Sequence, residues 1–225
     1  MDATRYIIWD WNGTLLNDVD ASLAALNRML AERHLSATSL TFYRDNFGFP
    51  VRPLYSKLGM DPDAEWERIC VDFHRYLAEG PQDLRSDTRA ALQLVQDQGV
   101  HQSILSALRQ DLLLRDTTAM GVAPFFDTIF GVDNLNGATK LSRGREFLEQ
   151  LKTRQPEVTH LFFIGDTLHD AEVGHALGAQ PILVEGGHQS ATRLRTAGCP
   201  VVSSLLAAVQ LALTTDLHAP ASDAR

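Results

Sequence analysis

Short apolar runs recur along the chain at residues 6–9, 102–105, 128–130, 160–164 and 181–184, and helical patterns separate most of them. An unbroken apolar run of this length suits a strand buried on both faces, and strands alternating with helices build a parallel sheet covered on both sides. The expected class is α/β, a doubly wound, Rossmann-like parallel sheet. The helix expected between Asp87 and Gln98 is well punctuated: Ser86 or Asp87 stands at the cap, Ala91, Leu94 and Val95 share a face, and Gly99 suits the left-handed stop. Gly121 and Gly178 repeat that stop signal.

Between 17 and about 84 the strand pattern is lost. Leu23, Leu26 and Leu30 form one helical stripe, and Trp66, Ile69, Cys70, Phe73 and Leu77 form another. This segment is expected to be an α-helical domain inserted into the sheet domain, which then comprises 1–16 and 85–213, with hinges near 17–20 and 81–86. The tail 214–225 is polar and aperiodic and is expected to be frayed.

Composition narrows the choice of partner. A length of 225 residues with 44% hydrophobic content supports one substantial core and a smaller second one. A net charge of -8 disfavours nonspecific attraction to nucleic acid or an anionic membrane. No stretch approaches the roughly 18 apolar residues of a membrane span, and residues 1–5 lack the layout of a signal peptide. A cytoplasmic monomer or homodimer is therefore expected. Cys70 and Cys199 fall in different expected domains, which suggests buried thiols rather than a disulfide or a thiolate metal site.

The chemistry stands at the ends of the apolar runs. Asp10-Trp11-Asn12-Gly13-Thr14 follows the first run, and Gly165-Asp166-Thr167-Leu168-His169-Asp170 follows the fourth. An Asp released from a strand into a Gly-containing turn offers its carboxylate to the crevice beyond the strand ends. Such a carboxylate can attack phosphorus only if a cation neutralises the repulsion between them, so a second acidic cluster is required nearby. Asp166 and Asp170 supply it. The bland alternatives are a turn residue for Asp10, a helix cap for Asp166 and a surface carboxylate for Asp170.

With DWNGT, GDTLHD, Ser106 just after the second run and Lys140 ahead of a helical stretch at 142–152, the chain resembles the haloacid dehalogenase superfamily of phosphatases over residues 6–213. The branch it resembles is that of the phosphoglycolate phosphatases. The resemblance implies that Asp10 is the nucleophile, that Ser106 and the N–H of Ala107 contact the phosphoryl group, and that Lys140 holds nucleophile and phosphate together. Thr14 would lie near the phosphate. Mg²⁺ would be held by Asp10, the backbone carbonyl of Asn12, Asp166 directly, and Asp170 through water or by positioning Lys140. The helical insert would close over a small phosphorylated metabolite. Arg52, at the end of the stretch 47–52, either reaches a substrate carboxylate or phosphate or is a solvated side chain, the second being the commoner case.

The main departure is Asn12, where these phosphatases usually carry a second Asp as acid and base; Leu141, after Lys140, also replaces a frequent Pro. An amide exchanges no proton near neutral pH, so a factor of about 10² to 10⁴ from acid–base catalysis is missing at that position. Slow turnover or a preference for good leaving groups, such as acyl or aryl phosphates, is expected. His169 and His188 could carry the proton instead, although His169 reads as a helix-start residue and 186–190 as a turn leading into a helix. Two other readings keep the motif. Phosphonoacetaldehyde hydrolases share a DWAGT-like motif and use a cap lysine as a Schiff base, and Lys57 is the one lysine of three that falls in the insert. Alternatively, Asn12 marks a phosphate-binding or regulatory protein that has lost catalysis.

Overall fold

The computed structural model describes residues 4–132 and 140–215. In chain order its elements are β1 (Thr4–Trp9), β2 (Leu16–Asn17), α1 (Val19–Glu32), α2 (Leu40–Asn46), α3 (Arg52–Lys57), α4 (Trp66–Glu79), β3 (Asp83–Leu84), α5 (Thr88–Asp97), β4 (His101–Arg109), α6 (Gln110–Ala119), β5 (Ile129–Val132), α7 (Lys140–Arg154), β6 (Val158–Gly165), α8 (Leu168–Ala176), β7 (Gln180–Val184), α9 (Ala191–Leu194), β8 (Val201–Val202) and α10 (Leu205–Thr214).

Six strands form one sheet in the order β5-β4-β1-β6-β7-β8, and every neighbouring pair is parallel. Strand periodicity explains why β1 is apolar without a break. Tyr6 and Ile8 pack with Leu105, Phe130 and Phe163 against α7 and α8, while Ile7 and Trp9 pack with Ile104, Phe162 and Ile164 against α5 and α10. The chain runs outward from β1 through β4 to β5, then returns to the other side of β1 with β6. This reversal leaves a crevice beyond the carboxyl ends of β1 and β6, where α/β sheets collect ligands.

Helices α1 to α4 build a separate apolar cluster of Leu26, Met29, Leu30, Tyr43, Leu54 and Ile69, with Trp66, Phe73 and Leu77 partly buried against it. At the foot of this insert, Leu16 pairs with Leu84 and Asn17 with Asp83 as antiparallel two-residue strands. Neither these strands nor β8 was expected, because two residues carry no readable period. Helix α7 begins at Lys140 rather than Ser142, and residues 136–139 lie outside the described residues, as does the tail beyond 215. Cys70 and Cys199 are free but only half-buried, which corrects the expectation of buried thiols. Among the described residues, no helix is long and apolar enough to cross a membrane.

Gly99, Gly121 and Gly178 all take the left-handed conformation expected of them. Asp87 does not behave as expected. It occupies the N-cap position of α5 without capping that helix, and its Oδ2 instead accepts from the backbone N–H groups of Leu205 at 2.8 Å and Leu206 at 3.3 Å. One helix start thus caps another across the core. Asp87→Ala should lower unfolding stability by about 1 kcal/mol, within a range of about 0.5–2, in urea titrations; an unchanged midpoint would remove this role.

Candidate active site

The turn after β1 is shaped by Asp18. Its Oδ1 accepts from the Gly13 N–H at 2.8 Å and its Oδ2 from Asn12 Nδ2 at 2.8 Å, while Gly13 itself has φ +74°. Asp10 then emerges at the end of β1, its N–H bonded to Ile164 O of β6 at 2.9 Å. At the end of β6, two glycines let the Asp166 carboxylate come close: a Cβ on Gly13 or Gly187 would lie 2.3 or 2.2 Å from Asp166 Oδ2. A Cβ on Gly165 would meet the Asp170 side chain at 2.3 Å. Backbone approach at these glycines is therefore what brings the carboxylates together.

Asp10, Asp166 and Asp170 are all buried and offer ligand oxygens within 4.8 Å of one another. Lys140, 2% exposed at the start of α7, bridges two of them, with Nζ donating to Asp10 Oδ1 at 2.5 Å and Asp170 Oδ1 at 2.6 Å. Lys140 is thus a buried member of the carboxylate cluster and not a solvated side chain. Asp170 Oδ2 accepts from the Thr167 N–H and hydroxyl at 2.9 and 2.7 Å and from the Asp166 N–H at 3.2 Å. Thr167 rather than Asp166 is the N-cap of α8, in a capping box with Asp170. With Lys140 on its other oxygen, Asp170 is the most fully occupied of the three, whereas Asp166 receives one bond on each oxygen, from Thr14 and the His188 N–H.

A cavity of about 420 Å³ opens above the cluster, and its wall includes Asp10, Asn12, Asp166, Asp170, Lys140 and, from β4, Ser106 and Ala107. Ser106 Oγ accepts from the Leu108 N–H at 3.1 Å, so its own proton can be donated toward the cavity. Thr14 is placed differently from the expectation. It is fully buried off the cavity wall, its hydroxyl lying 3.0 Å from Asp166 Oδ1 and 3.4 Å from Asp10 Oδ2. Arg52 lines the far end of the cavity, but its guanidinium lies over the Trp66 ring and donates to Pro62 O at 3.0 Å. Lys57 is exposed, off the wall, and bonded to Asn46 Oδ1 at 2.7 Å. The Schiff-base reading therefore has no amine from the insert in the cavity.

The residues least evident in the sequence are Asp18 and His188. His188, which reads as a turn residue in GGHQS, is 5% exposed on the cavity wall, with Nε2 3.2 Å from Asp18 and Nδ1 2.8 Å from the Tyr43 hydroxyl. His169 lies off the wall and packs on Phe49. The same 186–189 loop binds the insert: Arg44 donates to Gly187 O at 2.9 Å and Gly186 O at 2.7 Å, and Gln189 donates to Phe47 O at 2.8 Å. The one available signal was a polar, Gly-rich stretch directly after an apolar run.

Electrostatics follow from this crowding. Burial pushes Asp10 up to about 8, with Asp170 and Asp166 adding repulsion that Lys140 only partly offsets. Burial also raises Asp166 to about 6. Asp170 runs the other way: burial is outweighed by Lys140, which holds it below the ordinary range. Burial would lower Lys140, but its two carboxylates outweigh that and keep it charged. Burial would likewise lower His188, yet Asp18 raises it to about 9. Burial would raise Asp18, and His188, Asn12 and Gly13 together hold it low. With all six groups ionised, the four carboxylates face two cations, leaving two negative charges. That surplus and an all-oxygen donor set fit a hard dication such as Mg²⁺.

Comparison with known proteins agrees with this architecture. The sequence matches the family of haloacid dehalogenase-like hydrolases over residues 7–184, and the chain belongs to that family. The fold is shared with a predicted phosphatase from Clostridium acetobutylicum at 19% identity and TM-score 0.77, covering 95% of this chain and 100% of that one. A predicted phosphoglycolate phosphatase from Haemophilus somnus 129PT shares it at 15% identity and TM-score 0.71, covering 94% and 99%. A haloacid dehalogenase-like hydrolase from Streptococcus pneumoniae does so at 17% identity and TM-score 0.74, covering 93% and 99%. Comparison with curated protein sequences returns no match.

The Asp18–His188 pair has a signed pH signature. Because His188 titrates near 9 in the fold against an ordinary 6.5, its stabilisation is complete below about pH 6.5 and is lost as pH rises through 9. Denaturant titrations with chelator present should show stability falling from pH 7 to 9.5, more steeply than in His188→Gln; equal slopes would contradict the pairing.

Proposed function

We propose that the protein is a Mg²⁺-dependent phosphatase that hydrolyses small phosphorylated molecules through an aspartyl-phosphate at Asp10. The observation that carries this reading is Lys140 joined to both Asp10 and Asp170 at the floor of a cavity. Asp10 Oδ is the nucleophile. Lys140, the Ser106 hydroxyl and the Ala107 N–H sit on the cavity wall where they can stabilise charge on the transferring group. Asp166 and Asp10, with the Asn12 carbonyl, would hold the cation, and Asp170 orients Lys140 from behind. When bound, the cation supplies charge neutralisation between carboxylate and phosphoryl group. Helices α1 to α4 act as the cap that excludes water from the reaction.

Asn12 has a structural reason to be an amide. Its Nδ2 donates to Asp18, so a carboxylate there would face another carboxylate across the same 2.8 Å contact. The leaving oxygen therefore departs without a proton from this position, and water completes the turnover.

With p-nitrophenyl phosphate, activity should require Mg²⁺, be removed by chelation and restored by Mg²⁺, and fall at least about a thousandfold in Asp10→Asn. Acid-quenched wild type should carry label from ³²P-substrate. A chain that bound phosphate without label or turnover would be the catalytically inactive alternative.

Missing acid catalysis should also appear as steep leaving-group dependence. Aryl and acyl phosphates should exceed unactivated alkyl phosphates in kcat by about 10²- to 10⁴-fold. Equal rates across that series would mean that another group protonates the leaving oxygen.

A further inference from the structure

The cavity has two chemically distinct ends. Its floor carries the charged groups, while the apolar part of the wall contributed by the insert includes Leu26, Leu54, Trp66, Phe73 and Leu77. Polar groups on the insert's side are the Ser22, Tyr43 and Tyr55 hydroxyls, the Cys70 thiol, the His74 ring and the Arg52 guanidinium. Tyr43 is bonded to His188 Nδ1 at 2.8 Å, and two others are engaged. Arg52 lies 4.4 Å from the centre of the Trp66 ring and donates to Pro62 O, and His74 Nδ1 is bonded to Cys70 O at 2.7 Å. No lysine stands there, since Lys57 is off the wall.

A leaving group bearing a carboxylate or several hydroxyls would exchange water for carbon surface at this end and lose free energy. An aromatic leaving group would gain from burial and from packing against Trp66 and Phe73. The amide at Asn12 independently favours the same chemistry, because a phenolate leaves far more readily without a proton than an alkoxide does. We infer that the substrate is a phosphate monoester of a phenol or a comparable aromatic hydroxyl compound, with its ring against Trp66, Phe73 and Leu77 and its phosphoryl group on the Asp10–Lys140 floor. This inference rests on the phosphatase reading above. In the reaction the P–O bond to the aromatic oxygen breaks, the phenolate takes a proton from water, and the oxygen of a second water ends in inorganic phosphate.

The test measures kcat and KM with Mg²⁺ for phenyl, 1-naphthyl and benzyl phosphates beside 2-phosphoglycolate and glycerol phosphate, in wild type, Phe73→Lys and Phe73→Leu. The aromatic esters should exceed the polar ones in kcat/KM by at least about tenfold. Benzyl phosphate, whose ring sits on an alkyl oxygen, should match phenyl phosphate in KM and fall below it in kcat, which separates ring binding from leaving-group chemistry. Phe73→Lys should raise KM for the aromatic esters by about tenfold or more and lower it for phosphoglycolate, whereas Phe73→Leu should keep the wild-type preference. Asp10-dependent hydrolysis that favoured the polar esters, or a KM indifferent to both ring and Phe73→Lys, would overturn the aromatic assignment alone. Absence of Asp10-dependent hydrolysis for every ester would overturn the phosphatase reading and this inference with it.

Discussion

The site depends on one buried ammonium held between two buried carboxylates. Lys140 touches Asp10 and Asp170 at once, and removing one partner from such a group typically costs about 3–5 kcal/mol, because the other charge is left without compensation. The same contact fixes the start of α7 against the end of β1 and the first turn of α8. It also leaves Asp10 under strain of an electrostatic kind, since burial, with Asp170 and Asp166 nearby, pushes it up to about 8 despite the lysine. A dication is the simplest remedy for that imbalance, because its charge would favour the ionised form of Asp10.

Backbone geometry makes the crowding possible. Reversal of strand order at β1 points two strand ends at one crevice, and Gly13, Gly165 and Gly187 let carboxylates approach to where a Cβ would clash. Asp18 ties the turn to the insert side through Asn12, Gly13 and His188. His188 in turn meets Tyr43 of α2, so the group that shapes the turn after β1 is linked through it to the insert. On the proposed function, specificity falls to the carbon-rich wall that the insert contributes to the cavity.

Much of this was legible in the sequence, for particular reasons. Residues 6–9 and 160–164 are strands buried on both faces, and such strands announce themselves as unbroken apolar runs ending where the chemistry begins. Asp10, Asp166 and Asp170 were readable because they stand at or just past those ends, and Lys140 through the family resemblance, ahead of a helical stretch. Asp18 was not, because it acts from the base of an expected hinge and a lone Asp there carries no spacing signal. His188 reads as a turn residue, because its burial comes from packing between Tyr43 and Asp18, residues 145 and 170 positions away. Asp87 shows the same limit, capping a helix more than a hundred residues downstream. Thr14 and Arg52 are turned to other partners, carboxylates in one case and Trp66 in the other.

The account requires that Asp10 and Asp166 share one dication. Titrating metal-free protein with Mn²⁺ and following free Mn²⁺ by paramagnetic resonance tests this without relying on turnover. One site per chain, lost or weakened at least tenfold in Asp166→Asn, is the predicted result. No saturable site, or one that Asp166→Asn leaves untouched, would contradict it.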